Sequence, residues 1–320
     1  MRQKGILLLG FIGLVSLIIN FIFASGKFEK SQEFQERYAV FSLQIPAKVD
    51  FAGECVPLEY FDVKEALDRE LHINTYWQSQ TIFMIKRANR FFPEIEAILK
   101  DEGVPTDFKY LAMAESGLTN TLSPANAAGF WQFLKKTGLE FNLKIDSEVD
   151  ERYNLEKSTH AACKFLKSAH SKYGNWTMAA ASYNMGKSGL SKQDDFQKEN
   201  NYYNLALNEE TSRYIYRILA FKLIIETPDL YGFHIAKNDL YPPLKYTTAE
   251  VDGNISDWTL FANEHKTNYK ILRLFNPWIR ENVLTNKNKQ KFIIRIPEVG
   301  FRESLYNEAS SSDTTAQSNQ

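Results

Sequence analysis

The neighbours of Glu115 in the sequence make it the best candidate for a general acid. The segment from Phe108 to Glu115 has helical apolar spacing, and four of its residues share one face: Phe108, Leu111, Ala112 and Glu115. A carboxyl group among apolar neighbours ionises with difficulty, and the negative end of the helix dipole raises its pKa further. The pattern predicts a carboxyl that holds its proton near neutral pH. From this segment alone, an exposed or ion-paired glutamate at a helix end remains the alternative.

Two further segments carry groups that suit a binding groove beside this carboxyl. The run from Ser123 to Gln132 contains small residues, then the aromatic pair Phe130 and Trp131, then an amide. Small residues allow a tight turn near the end of the Glu115 helix, so we expect this loop to wall a groove. Farther on, Tyr183 is the main reaching group of an alanine-rich helix. A phenol beside a carboxyl can hold the carboxyl in place.

Four elements, in this order, resemble the motifs of a known family, the lysozyme-like lytic transglycosylases of bacterial cell walls. They are Glu115-Ser116, the Ser123–Gln132 loop, Ser182-Tyr183-Asn184, and Glu210-Thr211 with Tyr214. This family is glycoside hydrolase family 23, and the chain is most similar to its membrane-bound murein transglycosylase D type, over about residues 61–227. Asn126 replaces a loop glycine of the family. Because asparagine tolerates the left-handed conformation, we expect the turn to persist.

The resemblance implies a mainly α-helical, lysozyme-like catalytic domain, placed here at residues 61–235, that acts on the glycan strands of peptidoglycan. It implies cleavage of the β-1,4 bond between N-acetylmuramic acid and N-acetylglucosamine without water, which leaves a 1,6-anhydromuramic end. Glu115 would protonate the departing oxygen, the substrate's acetamido group would stabilise the cationic carbon, and the Glu115 carboxylate would then take the C6 hydroxyl proton.

The resemblance also assigns substrate contacts around Glu115. The residues concerned are Ser116, Ser123, Gly129, Phe130, Trp131, Gln132, Tyr183, Asn184 and Tyr214. Tyr183 is expected to orient Glu115. No second acidic residue is patterned with Glu115 on an apolar face, and the acidic residues between 146 and 151 are interpreted as solvated. We expect no cofactor and no metal, because the sequence has no Cys-x-x-Cys or His/Cys cluster.

A helical pattern without strand alternation extends from Asp62 to Pro228 and must position these groups. It divides into about seven helices. The predicted helices begin at 62, span 77–89, begin at Pro93, and span 108–115, 154–173, 176–185 and 209–226. Asn154 and Asn208 have the residue type of helix N-caps, and Gly174 and Gly186 are typical of helix ends.

After this helical region, residues 244–298 read as a second, small domain of β-α-α-β order. Strands are predicted at 245–251 and 291–296, and helices at 255–265 and 269–275. The segments 251–255, 272–277 and 293–297 resemble the LysM module, which binds glycans that contain N-acetylglucosamine. Asn254 and Ile255 replace the usual Thr-Leu, so a packing module without glycan affinity stays an alternative.

The N-terminus predicts export. Arg2 and Lys4 precede an apolar run over residues 6–24, which is typical of a signal peptide (residues 1–25) or an uncleaved membrane anchor. Either interpretation places the body of the chain in the periplasm or cell envelope, with the cytoplasmic membrane as a partner if the segment is retained. Residues 26–60 are expected to be an extended lead-in and residues 304–320 a disordered tail.

Composition excludes some classes of function and leaves others open. The chain has 38 basic and 39 acidic residues, so no global field draws it to nucleic acid. A monomer is expected, and a single Cys55–Cys163 disulfide stays open. Two functional alternatives remain: a hydrolytic muramidase of the goose type, which delivers water to the same centre, and a catalytically inactive wall-binding protein.

Overall fold

The structure is a computed structural model that describes residues 39–304. The predicted signal or anchor segment lies outside the described residues, as do residues 305–320 of the predicted tail. No helix of the described part combines the length and apolar character that crossing a membrane requires. The chain divides into a unit of residues 1–44 and a unit of residues 45–320. Residues 39–44 have no regular secondary structure, and the second unit contains all the elements described below.

Helices dominate the larger part of the second unit, as predicted. Their bounds are α1 (Phe61–Tyr76), α2 (Gln78–Asp101), α3 (Phe108–Ser116), α4 (Lys135–Glu140), α5 (Leu155–Tyr173), α6 (Trp176–Met185), α7 (Lys187–Gln197) and α8 (Glu209–Glu226). The side chains of Asn154 and Asn208 accept hydrogen bonds from Lys157 N and Thr211 N at the starts of α5 and α8. Capping asparagines therefore set these two helix starts.

The prediction that Pro93 begins a separate helix is wrong, because α2 continues through it. A proline inside a helix costs about 3 kcal/mol. Here Ala88, Phe92, Ile95 and Leu99 form a buried stripe on both sides of Pro93, and each large apolar side chain contributes about 1.5–3 kcal/mol when buried. Continuous burial therefore outweighs the local penalty. The short helices α4 and α7 were not predicted, and α7 buries only Leu190.

Helix α8 is the central element of the large helical domain. It packs against α1, α3 and α6, and its buried residues include Ile215, Ile218 and Leu219. Ala179, Ala180 and Ala181 on α6 have no exposed surface, and α6 packs against both α5 and α8. The lack of bulk on α6 lets its neighbours approach closely, which fixes the position of Tyr183 at its end.

Part of the predicted lead-in belongs to this core. Strands β1 (Asp50–Phe51) and β2 (Glu54–Cys55) form a small antiparallel hairpin. Phe51 is fully buried and packs edge-to-face on Phe108, with ring centroids 5.2 Å apart. The Glu54 carboxylate accepts hydrogen bonds from Thr177 N and Thr177 Oγ1 at the positive end of α6. The hairpin therefore fastens the ends of α3 and α6.

The C-terminal domain has the predicted β-α-α-β order. Its elements are β3 (Tyr246–Val251), α9 (Trp258–Glu264), α10 (Tyr269–Phe275) and β4 (Phe292–Pro297), followed by the short helix α11 (Phe301–Ser304). The two strands are antiparallel, with Thr248 opposite Arg295. Its core includes Val149 and Tyr153 of the large helical domain, and Asp150 N donates to Trp278 O at 2.9 Å. The two domains thus share a packed interface.

Lys222 should be a strong determinant of stability. Its ammonium group is buried and donates to Asp107 Oδ2 at 2.8 Å and to Asp50 Oδ2 at 3.1 Å. Lys222→Met leaves both carboxylates without this cation, so the free energy of unfolding should fall by about 2 kcal/mol or more. Denaturant unfolding followed by circular dichroism measures the loss. The matched change Lys291→Met breaks an exposed pair with Glu250 and should have no measurable effect; equal effects would contradict this role.

Candidate active site

Glu115 lies in the last turn of α3 and lines a groove of about 610 Å³. The helix ends at Gly117, which adopts φ +58° and donates its N–H to Met113 O at 2.8 Å. This left-handed C-cap turns the chain away directly after Glu115 and Ser116. The groove also contains Ser123, Gln132, Tyr183, Asn184, Glu210, Tyr214 and Arg217. Most of the predicted contact residues therefore lie around one carboxyl group.

The surroundings of Glu115 favour its protonated form. Burial raises the pKa of Glu115 to about 7, and the nearby Glu210 carboxylate also acts to raise it. Two groups oppose this rise: the Tyr214 hydroxyl, which donates a hydrogen bond to Glu115 Oε1, and the Arg217 guanidinium. Burial is the dominant effect, so Glu115 exchanges its proton near neutral pH.

The phenol that holds Glu115 is Tyr214, and the prediction that Tyr183 orients it is wrong. Tyr183 donates instead to the backbone oxygen of Trp131 at 2.7 Å. Its ring packs edge-to-face on Phe165, with centroids 4.9 Å apart. Tyr214 reaches Glu115 from α8, where its side chain is almost fully buried. Tyr183 lines the groove but acts on the loop that carries Trp131.

The prediction that the side chains of Phe130 and Trp131 contact substrate at the groove wall is also wrong. Trp131 has no exposed surface, and its indole N–H donates to Thr159 Oγ1 at 2.9 Å. Phe130 is buried against Phe91, with ring centroids 4.8 Å apart, and lines a different cavity. Two large aromatic side chains gain more by burial than at a rim. They anchor the loop from inside.

Gln132 is the side chain of this loop that remains at the groove. Its backbone has a φ of +48°, and its amide donates to Gly129 O at 2.7 Å and to Thr121 O at 3.2 Å. The strained backbone turns Gln132 away from the side that Trp131 occupies. Its amide is therefore fixed at the groove wall.

Gly129 has a structural role and does not line the groove, and its assignment as a substrate contact stays a prediction. It is buried with φ +80°, and a Cβ atom there would lie 1.9 Å from Arg152 O. Arg152 is itself buried, pairs with Asp150 at 2.7 Å and donates to Asn126 O and Phe133 O. Asp150 and Glu151 are buried as well, so the interpretation of both as solvated is wrong. This buried pair clamps the loop.

Short polar contacts shape the rest of the loop. Ser123 Oγ accepts a hydrogen bond from Ala127 N at 3.0 Å, and Asn126 has φ +62°. The expected left-handed conformation of Asn126 is thus confirmed. Ser116 Oγ donates to Phe130 O at 2.9 Å and to Ala112 O at 3.1 Å. Ser116 therefore fastens the loop to α3, and its hydroxyl faces the loop backbone.

A polar chain extends along α8 on the other side of the groove. Asn184 donates from Nδ2 to Glu210 Oε1 at 3.0 Å and accepts from Thr211 Oγ1 at 2.8 Å. Arg217, which belongs to none of the four sequence motifs, lines the groove as well. Glu210, Tyr214 and Arg217 follow one another at spacings of four and three residues. This spacing places them on one helix face, and it is the signal that would have found Arg217.

The described residues contain no group of three or more His, Cys, Asp or Glu side chains placed to hold a metal ion. His160 Nδ1 lies 2.8 Å from Glu102 Oε1, and His170 stacks on Trp176. Cys55 is exposed and Cys163 is buried, and both are free. The disulfide that the sequence left open is therefore not formed.

Comparisons with known proteins identify both domains. Residues 92–206 match the transglycosylase SLT domain, and residues 247–300 match the soluble lytic transglycosylase C-terminal LysM-like domain. These matches confirm the predicted family resemblance and the mainly helical fold with a small C-terminal domain. The SLT match ends before α8, so Glu210, Tyr214 and Arg217 lie outside it.

Curated relatives agree with the domain matches. The chain is 27% identical over 183 residues to the membrane-bound lytic murein transglycosylase D of Escherichia coli K12, which covers 55% of this chain and 40% of the relative. The protein of that name from Escherichia coli O6:H1 matches to the same extent. A putative tributyltin chloride resistance protein of an Alteromonas species is 26% identical over 103 residues, covering 32% of this chain and 50% of the relative. The chain spans half the length of these relatives or less.

Two glycines test the clamp on the loop. Gly129 and Gly174 both have positive φ, but a Cβ atom at Gly174 meets nothing within 4 Å. Gly174→Ala should cost about 1–2 kcal/mol of the free energy of unfolding, through the left-handed backbone alone. Gly129→Ala adds the clash with Arg152 O and should cost at least about 3 kcal/mol. Chemical denaturation measures both variants, and equal losses would show that the close approach has no energetic weight.

Proposed function

We propose that this SLT-domain chain is a lytic transglycosylase that degrades peptidoglycan. The observation that carries the proposal is the environment of Glu115. This carboxyl lies in a groove, has a pKa raised to about 7 by burial, and receives a hydrogen bond from Tyr214. The two domain matches and the relatives named as murein transglycosylases support the same conclusion.

One carboxyl group performs both proton transfers in the proposed reaction. Glu115 first donates its proton to the glycosidic oxygen between N-acetylmuramic acid and N-acetylglucosamine. The resulting carboxylate then accepts the proton of the C6 hydroxyl, whose oxygen closes the 1,6-anhydro ring. A pKa near the working pH suits a group that must act as an acid and then as a base. The Tyr214 hydroxyl keeps the carboxyl oriented, and its hydrogen bond stabilises the charged form between the two transfers.

The cationic carbon needs stabilisation between these transfers. We propose that the substrate's own acetamido group supplies it, which is an exception to the use of two carboxylates. The amide of Gln132 and the Asn184–Glu210 pair lie at the groove and offer both donors and acceptors to N-acetyl and hydroxyl groups. Ser123 lines the same groove. These polar groups are the proposed substrate contacts.

Glu210 gives the hydrolytic alternative a specific observation in its favour. No second acidic residue is patterned with Glu115 on an apolar face in the sequence, yet Glu210 lies in the same groove. A second carboxylate can activate water, as in an inverting glycosidase. Asn184 donates to Glu210, and this bond orients the Glu210 carboxylate. A muramidase that uses Glu210 as the base is therefore the second candidate function.

The location of the reaction follows from the N-terminal sequence. We propose that residues 1–25 direct export or anchor the chain, so that it acts in the cell envelope, and that the chain is a monomer. The relative's name, membrane-bound, supports this place of action. The C-terminal domain, proposed at residues 244–298, packs against the catalytic domain through Val149 and Ile279. This contact favours a packing role for the module, whether or not it also binds glycan.

Product analysis separates the candidate functions. Peptidoglycan digested by the wild type should give muropeptides that are one water lighter than hydrolysis products, as measured by mass spectrometry. Glu115→Gln should abolish product formation, because the amide cannot donate the proton. Reducing ends in the wild-type digest would contradict the transglycosylase, and no digestion by the wild type would favour the inactive wall-binding protein.

Glu210→Gln is the matched change at the second carboxylate. If Glu115 acts alone, this variant keeps the anhydro product. Because the Glu210 carboxylate raises the pKa of Glu115, its removal should also move the alkaline limb of the pH–rate profile to lower pH. Loss of all activity in Glu210→Gln, with Glu115 unchanged, would instead support the two-carboxylate hydrolase.

Two tyrosine variants test which phenol controls Glu115. The Tyr214 hydrogen bond lowers the pKa of Glu115, so Tyr214→Phe should raise that pKa and move the alkaline limb to higher pH. It should also reduce kcat by about tenfold or more, through the lost bond to a charged group. In Tyr183→Phe the bond to Trp131 O is lost, and the alkaline limb should stay in place. A shift with Tyr183→Phe but not with Tyr214→Phe would contradict the assignment.

A further inference from the structure

A second cavity, of about 320 Å³, lies between the catalytic domain and the C-terminal domain. Helix α2 contributes Arg87 and Phe91 to its wall, and the C-terminal domain contributes Phe275, Trp278 and Arg295. The segment between the domains adds Tyr241. Neither domain alone forms this cavity, so its shape depends on the packed interface.

The charged side chains that line the cavity are all positive. Three arginines line it, Arg87, Arg90 and Arg295, and no Asp or Glu does. Arg295 is already neutralised, since its guanidinium pairs with Glu94. Arg90 donates from Nε to Pro242 O at 3.0 Å.

Arg87 differs from both. Its Nε atom is buried without a hydrogen-bond partner, and no salt bridge joins Arg87 to a carboxylate of the described residues. A guanidinium binds a carboxylate through paired, charge-assisted hydrogen bonds. Burial also lowers the pKa of Arg87, so the site disfavours the charge that a bound anion would stabilise. The wall thus offers a cation that lacks a counter-ion.

The remaining wall indicates what accompanies the anion. Phe91, Phe130 and Trp278 supply apolar and aromatic surface, while Thr119 and Asn120 supply small polar groups at the edge. This combination suits small apolar side chains joined by a peptide bond, whose N–H and C=O need polar partners. An inorganic anion would leave the aromatic surface unused.

The cavity and the active-site groove lie on opposite sides of one loop. Phe130 lines the cavity and Gln132 lines the groove, with only Trp131 between them in sequence. Leu118 and Thr119, just after the Glu115 helix, also line the cavity. A molecule bound in the cavity therefore contacts the loop that walls the groove.

We propose that this cavity binds a short peptide through its free carboxylate, with Arg87 as the partner of that carboxylate and the aromatic wall around its small side chains. The inference extends the proposed function, because the stem peptides of peptidoglycan carry free carboxylates beside alanine side chains. The bound peptide would belong to the wall polymer on which the catalytic groove acts.

Isothermal titration calorimetry of the full chain tests the site with two probes that differ in one group. D-Alanyl-D-alanine should bind, and its C-terminal amide should bind at least about tenfold more weakly, because the amide lacks the charge that Arg87 needs. Arg87→Gln should remove the preference for the acid. The matched change Arg69→Gln, at an exposed arginine that pairs with Glu209, should keep it.

A steric variant keeps the test valid if Arg87→Gln does not fold. Leu274 lines the cavity and is half-exposed, so Leu274→Trp should fold and should block the dipeptide. Titration of Glu115→Gln separates this inference from the proposed function, since that variant should bind the dipeptide like the wild type while lacking lytic activity. Absence of binding, equal binding of acid and amide, or unchanged preference in Arg87→Gln would each overturn the proposal.

Discussion

The burial of one carboxyl group between α3 and α8 is the constraint to which the rest of the site is fitted. An ionised Glu115 would lose hydration that its surroundings do not fully replace, so its pKa rises to about 7. Tyr214 offers a single hydrogen bond that partly offsets this loss. A carboxyl group with this pKa holds its proton more tightly than an ordinary glutamate, and can still donate and recover it at neutral pH. The proposed proton transfers therefore depend on how well the fold limits water and countercharge around the Glu115 carboxyl group.

The loop between α3 and α4 lines the same groove as Glu115 and is held in place by its interior contacts. Trp131 and Phe130 are buried as anchors, Ser116 fastens the loop to α3, and the Arg152–Asp150 pair clamps its other side. Asp150 also bonds the backbone of Trp278 in the C-terminal domain. The small C-terminal domain is therefore connected, through Asp150, to the loop that forms one wall of the groove.

Much of the architecture could be predicted, because local chemistry decides it. Asn154 and Asn208 cap their helices through hydrogen bonds to backbone groups three residues away, which do not depend on tertiary packing. The spacing around Glu115 places that residue on a buried helix face. The predictions that were wrong depend on contacts between residues that are distant in sequence. Tyr183 and Tyr214 are the same residue type on neighbouring helices, and only packing determines which hydroxyl reaches Glu115. Likewise, Phe130 and Trp131 suit a groove wall or a core equally well by composition, and burial decides between them.

The most direct test is a titration of the Glu115 carboxyl group itself. The carboxyl carbon of Glu115, labelled with carbon-13 and assigned by its disappearance in Glu115→Gln, can be followed by nuclear magnetic resonance across the pH range. The burial of Glu115 predicts a midpoint of about 7, far above the ordinary value for glutamate of about 4.3. A midpoint near that ordinary value would contradict the central claim, because Glu115 would then lack the proton that the proposed reaction requires.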